Sequence, residues 1–125
     1  MELAALTKTR LIDMSESNCL FCKIVSGEMA TEFVAETDNT LVFKDIWPVA
    51  KVHLLVIPKQ HYSDVAELAQ NAPVILSEVL KTATEMAREY TAGSFKLQFN
   101  TGAEAGQTVF HAHAHVLSDT EKDGS

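Results

Sequence analysis

Residues 111–116 read His-Ala-His-Ala-His-Val, a strict alternation of imidazole and small apolar side chains. On an extended backbone successive side chains point to opposite faces. His111, His113 and His115 would therefore share one face at a spacing of about 6.6–6.8 Å, with Ala112, Ala114 and Val116 on the other. Such a segment predicts a strand that packs one face and keeps the other for chemistry. A purification tag would run its histidines consecutively at a terminus, and these do neither. Two chemistries suit imidazoles in a row. Neutral ring nitrogens bind metals, and a group with an ordinary pKa of about 6.5 can act as nucleophile, acid or base near neutral pH.

Composition narrows the setting. The chain has 125 residues, with 10 Lys+Arg against 17 Asp+Glu and a net charge of −7. At this length roughly two-thirds of the unfolded surface is buried on folding, enough for one domain without disulfide or metal staples. An acidic chain with no Lys/Arg-rich stripe is a poor partner for nucleic acid. A single small phosphate ligand feels the local pocket more than the net charge, and is not excluded on that ground. No apolar run approaches the ~20 residues that cross a bilayer. The first eighteen residues, MELAALTKTRLIDMSESN, lack the apolar h-region of a secretory signal, so a cytoplasmic address is expected.

Along the chain, residues 1–17 predict a loosely ordered tail, residues 18–118 a single domain and residues 119–125 an acidic tail. CLFCKIV at 19–25 predicts a short helix or turn ended by Ser26-Gly27. Strands are expected at 32–36 and 40–44 around the turn cluster Thr37-Asp38-Asn39, and at 52–57 before Pro58. Ser63 is placed to cap a helix over 64–69, and the apolar spacing over 72–90 predicts an amphipathic helix ended by Gly93. Phe95, Leu97 and Phe99 alternate with polar residues as a half-buried strand, and residues 108–117 form the last one. The class expected is α+β, an antiparallel sheet packed by helices on one face.

The neighbours of the histidines favour phosphorus chemistry. Asn100 ends the preceding strand candidate, and Gly106-Gln107-Thr108 runs into the histidine segment. Glycine lets the backbone approach a ligand, and the Gln107 amide and Thr108 hydroxyl are candidate donors to an oxyanion.

At this point the residues carry a resemblance. Gln107 to Leu117, QTVFHAHAHVL, resembles the histidine triad (HIT) signature His-φ-His-φ-His-φ-φ, preceded by the family's Gly-Gln-Ser/Thr. CLFCKIVSGE resembles its N-terminal Cys-x-x-Cys segment, LVFKDI at 41–46 its nucleoside-facing strand, and HLLVIPK at 53–59 its His-x-Leu-Val-Ile-Pro-Lys stretch. The matches span residues 19–117 in the family's order and spacing.

The resemblance implies a HIT-like fold, a homodimer and a hydrolase or transferase. Its substrates would be purine nucleoside phosphoramidates or related nucleotidyl conjugates. His113 would be the nucleophile, forming a nucleotidyl-histidine intermediate that water resolves to a nucleoside monophosphate, and His115 would hydrogen-bond the phosphoryl oxygens. Asn100, Gly106, Gln107 and Thr108 match the phosphate side of the site and Asp45 its ribose-binding acid. Leu20, Phe21, Ile24, Phe43, Ile46 and Leu55 match its base pocket, although each could equally be core. Alternative readings are a dinucleoside polyphosphate hydrolase and a regulatory nucleotide-binding zinc protein with little turnover.

A lone Cys-x-x-Cys carries little weight, because zinc usually takes four ligands. In bacterial members of the family, the resemblance implies, a structural zinc is held by the residues corresponding to Cys19, Cys22, His53 and His111. Free cytosolic thiols are the other reading. With His53 and His111 as ligands, His113 and His115 are left for chemistry. His61 is expected to be structural, at a helix start. The chain ends eight residues after Leu117, without the longer Trp-containing end of eukaryotic members, which leaves the leaving-group preference open.

Overall fold

In the computed structural model, which describes residues 18–122, the buried run Val52–Pro58 is the axis of the fold. Every residue of this strand is buried because it is the middle strand of five and both of its faces are covered. The elements in chain order are α1 (Leu20–Ser26), β1 (Phe33–Glu36), β2 (Thr40–Lys44), β3 (Val52–Pro58), α2 (Val65–Asn71), α3 (Pro73–Tyr90), β4 (Lys96–Gln98) and β5 (Ala114–Ser118). All pairings are antiparallel and the sheet order is β1-β2-β3-β5-β4. The α+β class is the one expected.

Strand alternation sorts the core into two layers. Val42, Val52, Leu54, Val56, Ala114 and Val116 face α3, meeting Val79, Ala83 and Ala87. On the other side Leu41, Phe43, Leu55 and Ile57 meet Phe21, Ile24 and Cys19. Helices therefore pack on both faces, which corrects the one-face expectation. The short α1 holds its place because Cys19 caps it, its Sγ accepting from the Cys22 N–H, and because Gly27 at φ 85° closes it in a conformation that side chains disfavour.

Three local expectations change. The cap of α2 is Asp64 rather than Ser63, its Oδ1 accepting from the Glu67 N–H at 2.8 Å. The last strand starts at Ala114, six residues later than expected. The β3 ladder ends at the Val56–Ala114 pair, and the Ala112 N–H turns instead to the Tyr62 carbonyl at 2.7 Å. The expected tail from 119 is tied down in its first part. Ala92 N–H bonds the Thr120 carbonyl and Lys122 N–H the Tyr90 carbonyl, beside a Thr91–Glu121 bridge. The expected tail over 1–17 lies outside the described residues, and no described helix is long and apolar enough to cross a membrane.

Candidate functional site

The imidazole row survives the late start of β5. Phe21 lies edge-on to both His111 and His113, with ring centroids 5.9 and 5.1 Å away, and His113 and His115 lie 4.9 Å apart. His53 on β3 joins the row, its ring 5.2 Å from that of His115. The row occupies the α1 side of the sheet, and β4 brings Gln98 opposite His115.

Hydrogen bonds fix what each ring can offer. His113 Nδ1 is 2.7 Å from the carbonyl oxygen of His111, which can only accept, so Nδ1 carries the proton and Nε2 keeps its lone pair. The Val49 N–H donates to His53 Nδ1 at 3.2 Å, which puts the His53 proton on Nε2. That Nε2 lies 2.9 Å from His115 Nδ1 and 3.3 Å from Asp45 Oδ2. With His115 Nδ1 accepting, its own N–H is at Nε2. One ring thus presents a lone pair and its neighbour a donor.

The surroundings disfavour the charged forms of His113 and His115. Burial is the main cause that lowers the His113 pKa, and it lowers that of His115 to about 4, aided by repulsion from His113 and His53 and opposed by Asp45. Burial also takes His111 down to about 4, against the Pro58 carbonyl that favours its protonated form. The unfolded chain then binds more protons than the folded one from the ordinary value of 6.5 down to about 4, so stability falls as pH falls through that window. Thermal unfolding followed at several pH values should show the midpoint dropping on acidification below 6.5; an unchanged or rising midpoint would contradict these environments.

The phosphate-side residues divide. The Gln107 amide is fully engaged inside the protein: Nε2 donates to the Ser63 and Val109 carbonyls at 2.8 and 3.1 Å, and Oε1 accepts from the Gly102 N–H at 2.8 Å. It shapes the loop and offers no side-chain donor to an oxyanion, which corrects the expected role. Asn100 has one committed N–H, to the Ala105 carbonyl at 2.7 Å, and its Oδ1 accepts from Gln98. Gly106 has φ 93°, a conformation that calls for glycine, and a Cβ there would stand in van der Waals contact with Asn100 Nδ2 at 3.4 Å. Thr108 is exposed, and its hydroxyl makes no hydrogen bond among the described residues.

The expected nucleoside pocket is partly core. Phe21, Ile24, Phe43 and Leu55 are buried together in one cluster, and of these Phe21 reaches the His113 ring. Leu20 and Ile46 are instead surface residues, 41% and 82% exposed. Asp45 is half-buried, with Oδ1 accepting from the Trp47 N–H at 2.8 Å and Oδ2 turned to His53.

The cysteines gather a different histidine from the one expected. Cys19, Cys22, His61 and His111 each direct one ligand atom into a group within 4.8 Å, and His53 is not among them. The register gives the reason. His53 pairs with Leu117, six positions from His111, about 20 Å along a strand, whereas the Pro58 end of β3, leading to His61, lies beside His111. The antiparallel pairing of two predicted strands was the signal that could have identified His61.

A metal would fit this group. Cys19 Sγ and Cys22 Sγ are 3.4 and 3.5 Å from His111 Nδ1, and Cys22 Sγ is 3.3 Å from His61 Nδ1. Tetrahedral bonds of about 2.3 Å to sulfur and 2.0–2.1 Å to nitrogen put S and N about 3.5 Å apart. His111 Nε2 donates to the Pro58 carbonyl at 2.8 Å, leaving Nδ1 as a lone pair aimed at the thiols. Asp45, His53 and His115 form a second compact group, but the Val49 N–H on His53 Nδ1 leaves Nε2 protonated where a metal would need its lone pair.

Comparison with known proteins agrees with this geometry. The family model described as "Scavenger mRNA decapping enzyme C-term binding" matches residues 18–125. Protein HitA of Neisseria gonorrhoeae is 39% identical over 101 residues, 80% of this chain and 94% of its own length. Adenylylsulfatase HINT3 of Arabidopsis thaliana is 34% identical over 116 residues, covering 86% of this chain and 55% of that protein. Among solved structures, a HIT family hydrolase from Clostridium thermocellum superposes with a TM-score of 0.76 at 37% identity, covering 86% of this chain and 94% of that one. The fold and the imidazole row define a histidine triad protein. The chain belongs to the HIT family.

Proposed function

We propose that this protein hydrolyses nucleoside phosphoramidates or related nucleotidyl conjugates through a nucleotidyl-His113 intermediate, with a purine nucleoside as the group bound. The observation that carries this reading is the His113 Nδ1 bond to the His111 carbonyl, which leaves Nε2 as an unprotonated nucleophile. In the first step Nε2 forms a bond to the α-phosphorus and the P–N bond breaks, its electron pair leaving with the amine, which takes up a proton. Water then attacks the same phosphorus, freeing the ring and releasing the nucleoside monophosphate. His115 Nε2–H, the Thr108 hydroxyl and the remaining Asn100 N–H are the neutral donors for the phosphoryl oxygens. Asp45 takes the ribose hydroxyls and Phe21 bounds the site on the α1 side.

The relatives support a hydrolase in the coarse sense. One solved neighbour is titled a HIT family hydrolase, and the Arabidopsis relative is named for an adenylyl conjugate. The test is release of a fluorescent amine from an adenosine phosphoramidate. Cleavage of diadenosine tetraphosphate much faster than this substrate would favour the polyphosphate reading, and nucleotide binding with no turnover of either would favour the regulatory one.

The same reading includes a structural zinc on Cys19, Cys22, His61 and His111, supported by the spacing and ring orientation above. When bound, the ion would tie α1 to the β3 end of the sheet; it takes no part in the chemical steps. Metal analysis of protein purified without added metal should give about one equivalent per chain. His61→Ala should lose the metal and His53→Ala should retain it; the reverse pattern would overturn the ligand set. A homodimer belongs to the proposal as well. β4 is an edge strand of three residues with the exposed Phe95 beside it, a place where a second copy could add its own edge. Light scattering tests it, with a monomer as the contrary result.

A further inference from the structure

The chain has two cysteines, so a single intramolecular pairing is open to them, and the fold sets them side by side as thiols. Cys19 caps α1 and Cys22 lies in its first turn. Three residues apart along a helical turn, Cα atoms stand about 5 Å apart, inside the span that a disulfide bridges. The Cys19 side chain is already turned over that stretch, its Sγ accepting from the Cys22 N–H at 3.4 Å, and the two Sγ atoms lie within 4.8 Å of each other. Access separates them. Cys22 is half-buried and Cys19 buried, so a small solute meets Cys22 first and Cys19 stands behind it as the resolving thiol. Both sulfurs also face His111 Nδ1, and Cys22 Sγ faces His61 Nδ1, which are the atoms that complete the metal group.

We propose that Cys19 and Cys22 are a reversible thiol–disulfide site, and that this disulfide and the metal are alternatives at one place in the fold. The co-reactant is a small-molecule disulfide such as oxidised glutathione. Cys22 Sγ attacks one of its sulfurs, a protein–glutathione S–S bond forms as the glutathione S–S bond breaks, and one glutathione leaves as the thiol with the Cys22 proton. Cys19 Sγ then attacks Cys22 Sγ, and the second glutathione leaves as the thiol with the Cys19 proton. Two electrons pass from the protein to the small molecule: two protein thiols become one disulfide and one small disulfide becomes two thiols. The sulfurs then bond each other and neither is a thiolate. Four donors fall to His61 and His111 alone, short of the four that a structural zinc takes. The metal half of the proposal rests on the zinc reading above; the disulfide half does not.

The test equilibrates the full-length chain, reduced, chelated and desalted, with glutathione buffers of rising oxidised-to-reduced ratio, then alkylates it and measures its mass. Both thiols should disappear together, with no glutathione retained and no link between chains, and excess reduced glutathione should restore them. With zinc at about a thousandfold over its Kd, the equilibrium constant for oxidation should fall roughly 10³-fold, because the ion binds only the dithiol. Cys19→Ser keeps a good cap for α1 and should stop at a stable glutathione adduct on Cys22. Cys22→Ser should resist the adduct, since the remaining thiol is buried. Two alkylatable thiols persisting in the metal-free wild-type chain at the most oxidising ratio, or a glutathione adduct retained there, would overturn the inference. Oxidation unchanged by zinc in a chain that binds the ion would do the same. Failure of the zinc reading has a different signature, a reduced chain that takes up no zinc while still forming the disulfide, and it overturns the alternation alone.

Discussion

His113→Ala should reduce amine release by roughly 10³- to 10⁶-fold while nucleotide binding persists, because in the mechanism we propose the substitution deletes the one atom that forms the covalent bond and leaves the rest of the site standing. The two effects are separable by structure. In the proposed site, binding draws on Asp45, the phosphate-side donors and Phe21, none of which bonds to His113 through a hydrogen bond. A modest loss of stability is also expected, about 1–3 kcal/mol, since the His111 carbonyl loses the Nδ1–H that satisfied it in a buried setting. Thermal unfolding measures that part. Partial recovery of turnover in His113→Gly on adding free imidazole would show that the missing group is the nucleophile. Turnover within tenfold of wild type in His113→Ala would remove His113 from the mechanism.

Removal of the proposed zinc should have the largest effect on stability. An ion that binds only the folded chain stabilises it in proportion to the logarithm of its concentration over Kd, about 4 kcal/mol at a thousandfold excess. For a chain of this size that corresponds to a melting midpoint lower by roughly 10–15 °C after chelation. Cys19→Ser should do the same and add a second cost, because Cys19 is also the cap of α1 and a buried member of the core layer beneath it. The serine hydroxyl is a good cap, so a variant that keeps its helix but loses its metal identifies the metal as the stabilising agent. A chelated protein with an unchanged midpoint would leave the thiols as simple core residues.

How much of this was legible in the sequence varied with the physics behind each feature. The strands and the long helix follow from periodicity, and α3 began within one residue of its expected start because Pro73 suits the first helical turn. The HIT resemblance pointed to His113, His115 and Asp45, which the structure brings together around His53. What failed were statements about which atom faces which. His53 and His61 are both histidines eight residues apart, and only the pairing of β3 with β5 decides which one approaches His111. Gln107 was read as a donor because glutamine has donors; that both are used inside the protein, one on the distant Ser63 carbonyl and one on Val109, is a tertiary fact. The six apolar residues matched to a base pocket separated into core and surface because ligand wall and core use the same residue types. Helix placement on both faces was missed because α1 has only seven residues, too few to show an amphipathic pattern.

The roles of His53 and His113 are set by two main-chain atoms, the Val49 N–H and the His111 carbonyl oxygen. Apart from proline at position 49, which has no N–H, no substitution removes either main-chain group, so these two hydrogen bonds are less exposed to point mutation than the ring residues themselves. Changes of chain length are another matter. A residue removed between Asp45 and His53, or added between His111 and His113, would carry the amide or the carbonyl out of reach even if every side chain were kept. Redesign of this site for new substrates therefore has wide latitude in composition and almost none in loop length.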